Sequence, residues 1–189
     1  MRRATKLTTF FTITGITALT LSGCSAGGST QAAPETTETV AVGGAAIQDA
    51  PAAATFTDGV LAAEDVTITI TDSRTIQVGE AGNEYGSGPV IAFWYDITNK
   101  QSERDVTPTD WVFYFKAFQD NDPNVENELM VALLPDQQFQ DTQLENIKVG
   151  GTTASAVAYE LTDTTTPVDL IASTDFGRTE IGTATFTLQ

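Results

Sequence analysis

The 189-residue sequence contains no histidine. That absence removes Ser-His-Asp and Cys-His catalysis, together with ordinary histidine-bearing zinc and copper sites. Serines are few beyond residue 55, no Gly-x-Ser-x-Gly elbow occurs, and no glycine-rich phosphate loop precedes a helix. Cysteine occurs once, at Cys24, so no intrachain disulfide can brace the fold and its stability must come from an apolar core. Positive charge is scarce as well, with 9 Lys and Arg against 25 Asp and Glu, a net charge of −16. Such a surface repels nucleic acid and anionic lipid headgroups, which excludes a nucleic-acid partner.

Three of those basic residues, Arg2, Arg3 and Lys6, stand at the very start. Leu7 to Leu21 follows without a charge, its Phe10, Phe11, Ile13, Ile16, Leu19 and Leu21 interleaved with Thr, Ala and Gly. A basic head before a short apolar run reads as a secretory signal over residues 1–23. The run is too short and too threonine-rich for a membrane span of about 20 apolar residues. Its end, Leu21-Ser22-Gly23-Cys24, looks like a bacterial lipobox. There the cysteine thiol takes a diacylglyceryl group and the preceding peptide bond is cut, so Cys24 is the expected lipidation site. Each buried methylene of an acyl chain contributes roughly 0.8 kcal/mol, and two chains hold where one would come off. The expected location is the extracellular face of the cell membrane. Loss of the signal leaves 6 basic residues against 25 acidic ones, a net charge of −19.

Residues 24–54 are rich in Gly, Ser, Thr, Ala, Pro and Glu, with few large apolar residues and no Lys or Arg. Such a stretch cannot bury enough surface to offset its ordering entropy and is expected to be a disordered tether. From residue 55 to 189 the texture changes. Val66, Ile68 and Ile70 alternate with threonines, and Ile91, Phe93, Tyr95 and Ile97 make a second period-2 row. Trp111 to Phe118 reads as a third strand, with bulky residues on both faces. Val157, Tyr159 and Leu161, then Val168 and Leu170, then Ala184, Phe186 and Leu188 complete the set. Turn-rich pieces separate them, and Asp136 to Glu145 is the one polar stretch that could hold a short helix. Short strands with regular turn signals specify an all-β domain, a sandwich or a barrel.

The rows Val66-Thr67-Ile68-Thr69-Ile70-Thr71-Asp72, Ile91-Ala92-Phe93-Trp94-Tyr95-Asp96-Ile97-Thr98-Asn99, Lys116-Ala117-Phe118-Gln119-Asp120, Ile147-Lys148-Val149-Gly150-Gly151 and Ala158-Tyr159-Glu160-Leu161 resemble a family of Gram-positive lipoproteins of unknown function. That family in turn resembles the Ig-like sandwich of mycobacterial immunoprotective extracellular proteins. The likeness runs from about Asp58 to Leu188 and implies an Ig-like antiparallel β-sandwich; it brings no catalytic residues. Departures from its pattern, at Asn99-Lys100-Gln101-Ser102, Gln119-Asp120-Asn121 and Val149, fall in loops.

Carboxylates are the chemistry that remains. Asp96 and Glu160 interrupt apolar strand rows and so point away from the core. On neighbouring strands, Trp94, Asp96 and Glu160 could share an outer face, where an aromatic beside two acids would suit a sugar ring. A glycosidase needs its carboxyls about 5–5.5 Å or 6.5–9.5 Å apart. A solvated sheet face on an acid-rich protein is the plainer account. A second cluster, Asp120, Asp122, Asn124 and Glu126, carries side-chain oxygens at alternate positions, as calcium loops do. It lacks the EF-hand glycine, having Val125 there, and has Val131 at position twelve, so a polar hairpin loop is the competing account. Taken together, the chain is expected to be a membrane-anchored, non-catalytic binding module for a protein, an envelope glycan or a basic partner. An envelope carbohydrate enzyme using Asp96 and Glu160 is the alternative.

Overall fold

The computed structural model describes residues 53–101 and 103–189. The expected signal, Cys24 and nearly all of the 24–54 segment lie outside the described residues.

Among the described residues, eight strands form two antiparallel sheets. The first sheet has the order β1-β2-β3-β4-β6, from β1 (Thr55–Thr57), β2 (Val60–Ala62), β3 (Val66–Ile76), β4 (Val90–Asn99) and β6 (Thr152–Glu160). The second is β5-β7-β8, from β5 (Phe115–Phe118), β7 (Val168–Ser173) and β8 (Glu180–Phe186). The protein is thus an all-β sandwich, one of the two architectures that its alternating rows allow. Ile91, Phe93, Tyr95 and Ile97 of β4 are all buried, as are Val157, Tyr159 and Leu161 at the end of β6, and Val168 and Leu170 of β7. Ala184, Phe186 and Leu188 pack against the same core from its margin. Trp111 sits at the centre, its ring 4.3 Å from Phe115, 4.4 Å from Tyr95 and 5.8 Å from Phe93. Its indole N–H donates to the Tyr159 hydroxyl at 2.8 Å, and the Tyr95 hydroxyl donates to the Pro108 carbonyl at 2.8 Å. Burial pushes both phenols far above the ordinary tyrosine range.

Three local features depart from simple alternation. Trp111–Phe118 is not one strand: Pro108–Asp110 form a 3₁₀ turn, Trp111–Tyr114 a single α-helical turn (α1), and β5 starts only at Phe115. Proline at the first position of the turn favours this geometry. A three-to-four residue period sends Trp111, Tyr114 and Phe115 inward and leaves Val112 and Phe113 outside, which is why bulky residues fall on both faces. Asp136 to Glu145 holds only the 3₁₀ turn Gln137–Phe139, capped by Asp136, whose carboxylate accepts from the Gln138 amide. In β3 a bulge between Ile70 and Asp72 shifts the phase, so Ile68 and Ile70 face the core side while Arg74 and Ile76 face out.

Both sides of the sandwich are closed. On one side β1 lies so near β8 that a Cβ at Gly182 would fall 2.6 Å from the Phe56 carbonyl oxygen. On the other, residues 127–132 cross from one sheet to the other. Leu129 N–H donates to Ala117 O of β5, and then Ala132 N–H donates to Ala158 O while Met130 O accepts from Glu160 N–H of β6. A strand that switches partners in this way satisfies two exposed edges at once.

The antiparallel register sorts the connections into two ends. One end carries Ala53, the β2–β3 turn, the segment after β4, α1 and the β7–β8 turn; the Tyr114 hydroxyl donates to Asp65 there at 2.5 Å. The opposite end carries the loops 77–89, 119–127 and 161–167, with Leu161 N–H donating to Pro89 O at 2.9 Å.

Candidate functional site

The outer face of the three-stranded sheet presents Phe118 of β5 beside Asp169 and Ile171 of β7, the register placing Phe118 opposite Asp169 and Lys116 opposite Ile171. Over them folds the 119–127 loop, fixed by one fully buried side chain. The Gln119 amide N–H groups donate to the carbonyls of Asp163 at 3.1 Å and Thr166 at 2.8 Å, and its oxygen accepts from Thr162 N–H and hydroxyl at 2.8 and 2.9 Å. The backbone closes where Gln119 N–H donates to Asn127 O at 3.1 Å. Two further amides lock the loop to its neighbour: Asn121 donates to Thr162 at 2.8 Å and Asp163 at 2.7 Å, and Asn127 to Thr162 at 2.7 Å. The Asn121 amide, with the backbone N–H groups of Thr166 and Thr165, holds the Asp163 carboxyl far below the usual carboxylate range.

Between loop and sheet runs a groove of about 410 Å³. Phe118, Ile171, Pro123 and Val125 supply its apolar surface; Asp120, Asp122, Glu126 and Asp169 supply four carboxylates, and no Lys or Arg among the described residues lines it. The four expected calcium ligands, Asp120, Asp122, Asn124 and Glu126, all stand on this groove. They do not gather as a cage: Asp122 accepts from the Asn124 backbone N–H at 2.8 Å as an ordinary turn, and among the described residues no three acidic side chains converge as metal ligands. An apolar floor under a carboxylate rim suits a ligand that carries positive charge on an apolar stem, such as a lysine or arginine side chain.

The other expected face is built differently. Trp94, Asp96 and Glu160 do lie on adjacent strands with their side chains on the outer side, but Asp96 is paired with Ala154 while Glu160 is paired with Val90. Six register positions separate the two acids, about 20 Å at roughly 3.4 Å per residue, far beyond a glycosidase pair. Trp94 is already partnered: the Arg74 guanidinium stands 4.6 Å from its ring centroid and its indole N–H donates to Asp136 at 3.1 Å. Partial burial works against ionisation of Asp136, but that indole bond, the Gln138 N–H groups and nearby Arg74 together hold its carboxyl below the ordinary value. This face is therefore a packed patch shared with Ile76, Val90, Ala92 and Ala158.

A cavity of about 800 Å³ opens at the end that carries Ala53, with Asp65, Arg104 and Thr174 in its wall. Arg104 looks like an anion receptor until its donors are assigned. Nε and one Nη2 hydrogen go to Asp65, the other Nη2 hydrogen to the Tyr114 hydroxyl at 2.6 Å, and Nη1 to Asp110 and the Asp105 carbonyl. All five guanidinium donors are thus engaged within the protein, so this side chain fastens α1 to the β2–β3 turn. Burial and the adjacent Asp65 push the Tyr114 phenol far above its ordinary range. Neither this staple nor the Gln119 anchor is visible in local sequence, since the bonds that close them, from Arg104 and Tyr114 to Asp65 and from Gln119 to Asp163 and Thr166, span 39 to 49 residues.

A model of the family described as "Domain of unknown function (DUF5067)" matches residues 45–174, which include the groove and every strand but β8. A solved structure of a presumed lipoprotein from Staphylococcus aureus subsp. aureus NCTC 8325 is 20% identical, with a TM-score of 0.59 over 71% of this chain and 92% of that chain. At that identity the likeness bears on the fold. No curated protein matches the chain.

Proposed function

The chain belongs to the DUF5067 family of domains of unknown function, and on that premise we propose that it is a lipid-anchored, non-catalytic binding module whose acidic groove receives a basic partner outside the cell. The observation that carries this reading is the groove itself: four carboxylates over an apolar floor, at the end of the sandwich away from the point where the chain joins it. The anchor rests on Leu21-Ser22-Gly23-Cys24 behind a basic, then apolar, N-terminus. A lipoprotein assignment for the Staphylococcus aureus structure is in keeping with it. The motif likeness to immunoprotective extracellular proteins belongs to the same reading, as a sandwich displayed outside the cell. The absence of histidine supports a non-catalytic role, and the spacing of Asp96 and Glu160 gives the carbohydrate-enzyme reading no support.

A cationic residue within reach of several carboxylates gains on the order of 0.2–1 kcal/mol from each at a solvated surface, and less as salt rises. The test is a titration of the full chain with oligolysine, followed by NMR. Shifts should concentrate at Phe118, the 120–126 loop and Asp169, and should vanish in Asp122→Asn/Glu126→Gln/Asp169→Asn. Equal shifts in that variant, or shifts centred on Trp94 and Asp96, would remove the groove from the proposal.

A further inference from the structure

The end of the sandwich that carries Ala53 also carries an exposed aromatic pair. Phe113, on the outer side of α1, is 43% exposed, and Phe176, at the tip of the β7–β8 turn, is 65% exposed; their rings meet edge to face with centroids 5.3 Å apart. Val112, 44% exposed, extends the apolar spot. Phe176 is held out on a backbone with φ of +63°, in the left-handed region that side chains other than glycine and asparagine rarely take. The turn that holds it there is well supplied with hydrogen bonds: Ser173 Oγ accepts from Gly177 N–H at 2.6 Å, and the Asp175 carboxylate accepts from Arg178 N–H at 3.0 Å and Thr179 N–H at 2.8 Å. Two of the six basic residues after Cys24 stand in or beside the turn: Arg178 follows Phe176 in sequence, and Lys116, whose ammonium pairs with Glu128 at 3.0 Å, lays its stem on Gly177, where an added Cβ would fall 2.7 Å from Lys116 Cδ.

The position of this spot relative to the start of the domain identifies its partner. Ala53 and Thr174 line the same cavity, so the chain joins the domain beside the foot of the Phe176 turn, and the Tyr114–Asp65 hydrogen bond brings α1 to that end too. The 28 residues between Cys24 and Ala53 are the covalent link between lipid and domain. In an anchored protein the link therefore enters the domain at this end, opposite the end that bears the groove.

We propose that Phe113 and Phe176 are a membrane-contact tip, resting in the headgroup region of the bilayer that carries the anchor and turning the acidic groove away from it. The inference rests on the lipid-anchor reading. Aromatic rings with adjacent basic side chains suit the headgroup level, and their contact offsets the repulsion expected from the acid-rich remainder. The covalent anchor supplies the local concentration, so two rings are enough to set orientation without having to hold the protein on the membrane.

The test uses the lipidated full-length protein in vesicles of phosphatidylcholine and phosphatidylglycerol with acyl chains brominated near the headgroup. Phe176→Trp and, separately, Phe113→Trp serve as reporters, with Tyr85→Trp at the opposite end as the reference and the unsubstituted protein as the background. Flotation with the vesicles reads the anchor; quenching reads the tip. Loss of emission and a blue shift at 176 and 113, but not at 85, is the expected result. Flotation with no more quenching at 176 and 113 than at 85 overturns the tip and leaves the anchor standing. Failure to float overturns both. Emission at 176 that shifts with protein density on the vesicle, without quenching, assigns the pair to a contact between copies and also overturns the proposal.

Discussion

Tyr159 and Phe93 show what single side chains contribute to this core. Phe93 is fully buried and meets Trp111, Tyr159 and Phe186, so Phe93→Ala should cost about 3–5 kcal/mol in urea denaturation; a loss under about 1 kcal/mol would mean the register of β4 is wrong. Tyr159→Phe keeps the ring but leaves the buried Trp111 N–H without its acceptor, for a loss of about 1–3 kcal/mol. Thr75 carries the opposite sign. Its Oγ1 is buried without a partner among the described residues, so Thr75→Val should raise stability by roughly 1 kcal/mol. Asp65 adds a pH dependence. Burial alone would raise its pKa, but hydrogen bonds from the Tyr114 hydroxyl and the Arg104 guanidinium outweigh it and hold the folded value below the ordinary one. Its contribution is therefore complete above the unfolded value of about 3.9 and is lost as pH falls through the lower folded value. Asp65→Asn should lower the melting temperature near neutrality and flatten its fall below about pH 4. An acid limb as steep as that of the unsubstituted protein would place the titrating group elsewhere.

At the scale of elements, the segment 127–132 is the most informative, because no period announces it. Val131 opposes Tyr159 across a narrow pair, with Ala132 N–H and Met130 O taken by β6 on either side, so Val131 N–H points away from the sheet. Native-state hydrogen exchange should accordingly find the amides of Leu129, Ala132 and Glu160 protected and that of Val131 fast. Slow exchange at Val131 would mean that its edge is covered. The contrast explains what the sequence could and could not convey. Ile91, Phe93, Tyr95 and Ile97 alternate because one face of β4 meets the core along its whole length, so the strand and its buried side could be read directly. In β3 the bulge at Thr71 inverts that phase, and Arg74 and Ile76 end on the side opposite to the one alternation assigns them. Within the Trp111–Phe118 row, bulky residues on two faces read as strand from the start, although at 111–114 a helical turn gives the same pattern over so few residues. The groove is intermediate. Its acids were conspicuous in 120–126, but Phe118, Asp169 and Ile171 join them only through the β5–β7 pairing, a contact some 50 residues apart that no local signal encodes.

For the whole molecule, charge and attachment point in one direction. A mature chain with 6 basic and 25 acidic residues is repelled by anionic surfaces, yet it is expected to live tied to one. Placing the proposed aromatic tip at the joined end and the carboxylate groove at the other would separate the two demands, the partner meeting the loop richest in carboxylates. The proposed membrane contact depends on a covalent lipid at Cys24. Mass spectrometry of the mature protein isolated from membranes tests it most directly. The expected product begins at Cys24 and carries a diacylglyceryl thioether there; a chain that still contains residues 1–23, or that starts elsewhere with a free thiol, would contradict it.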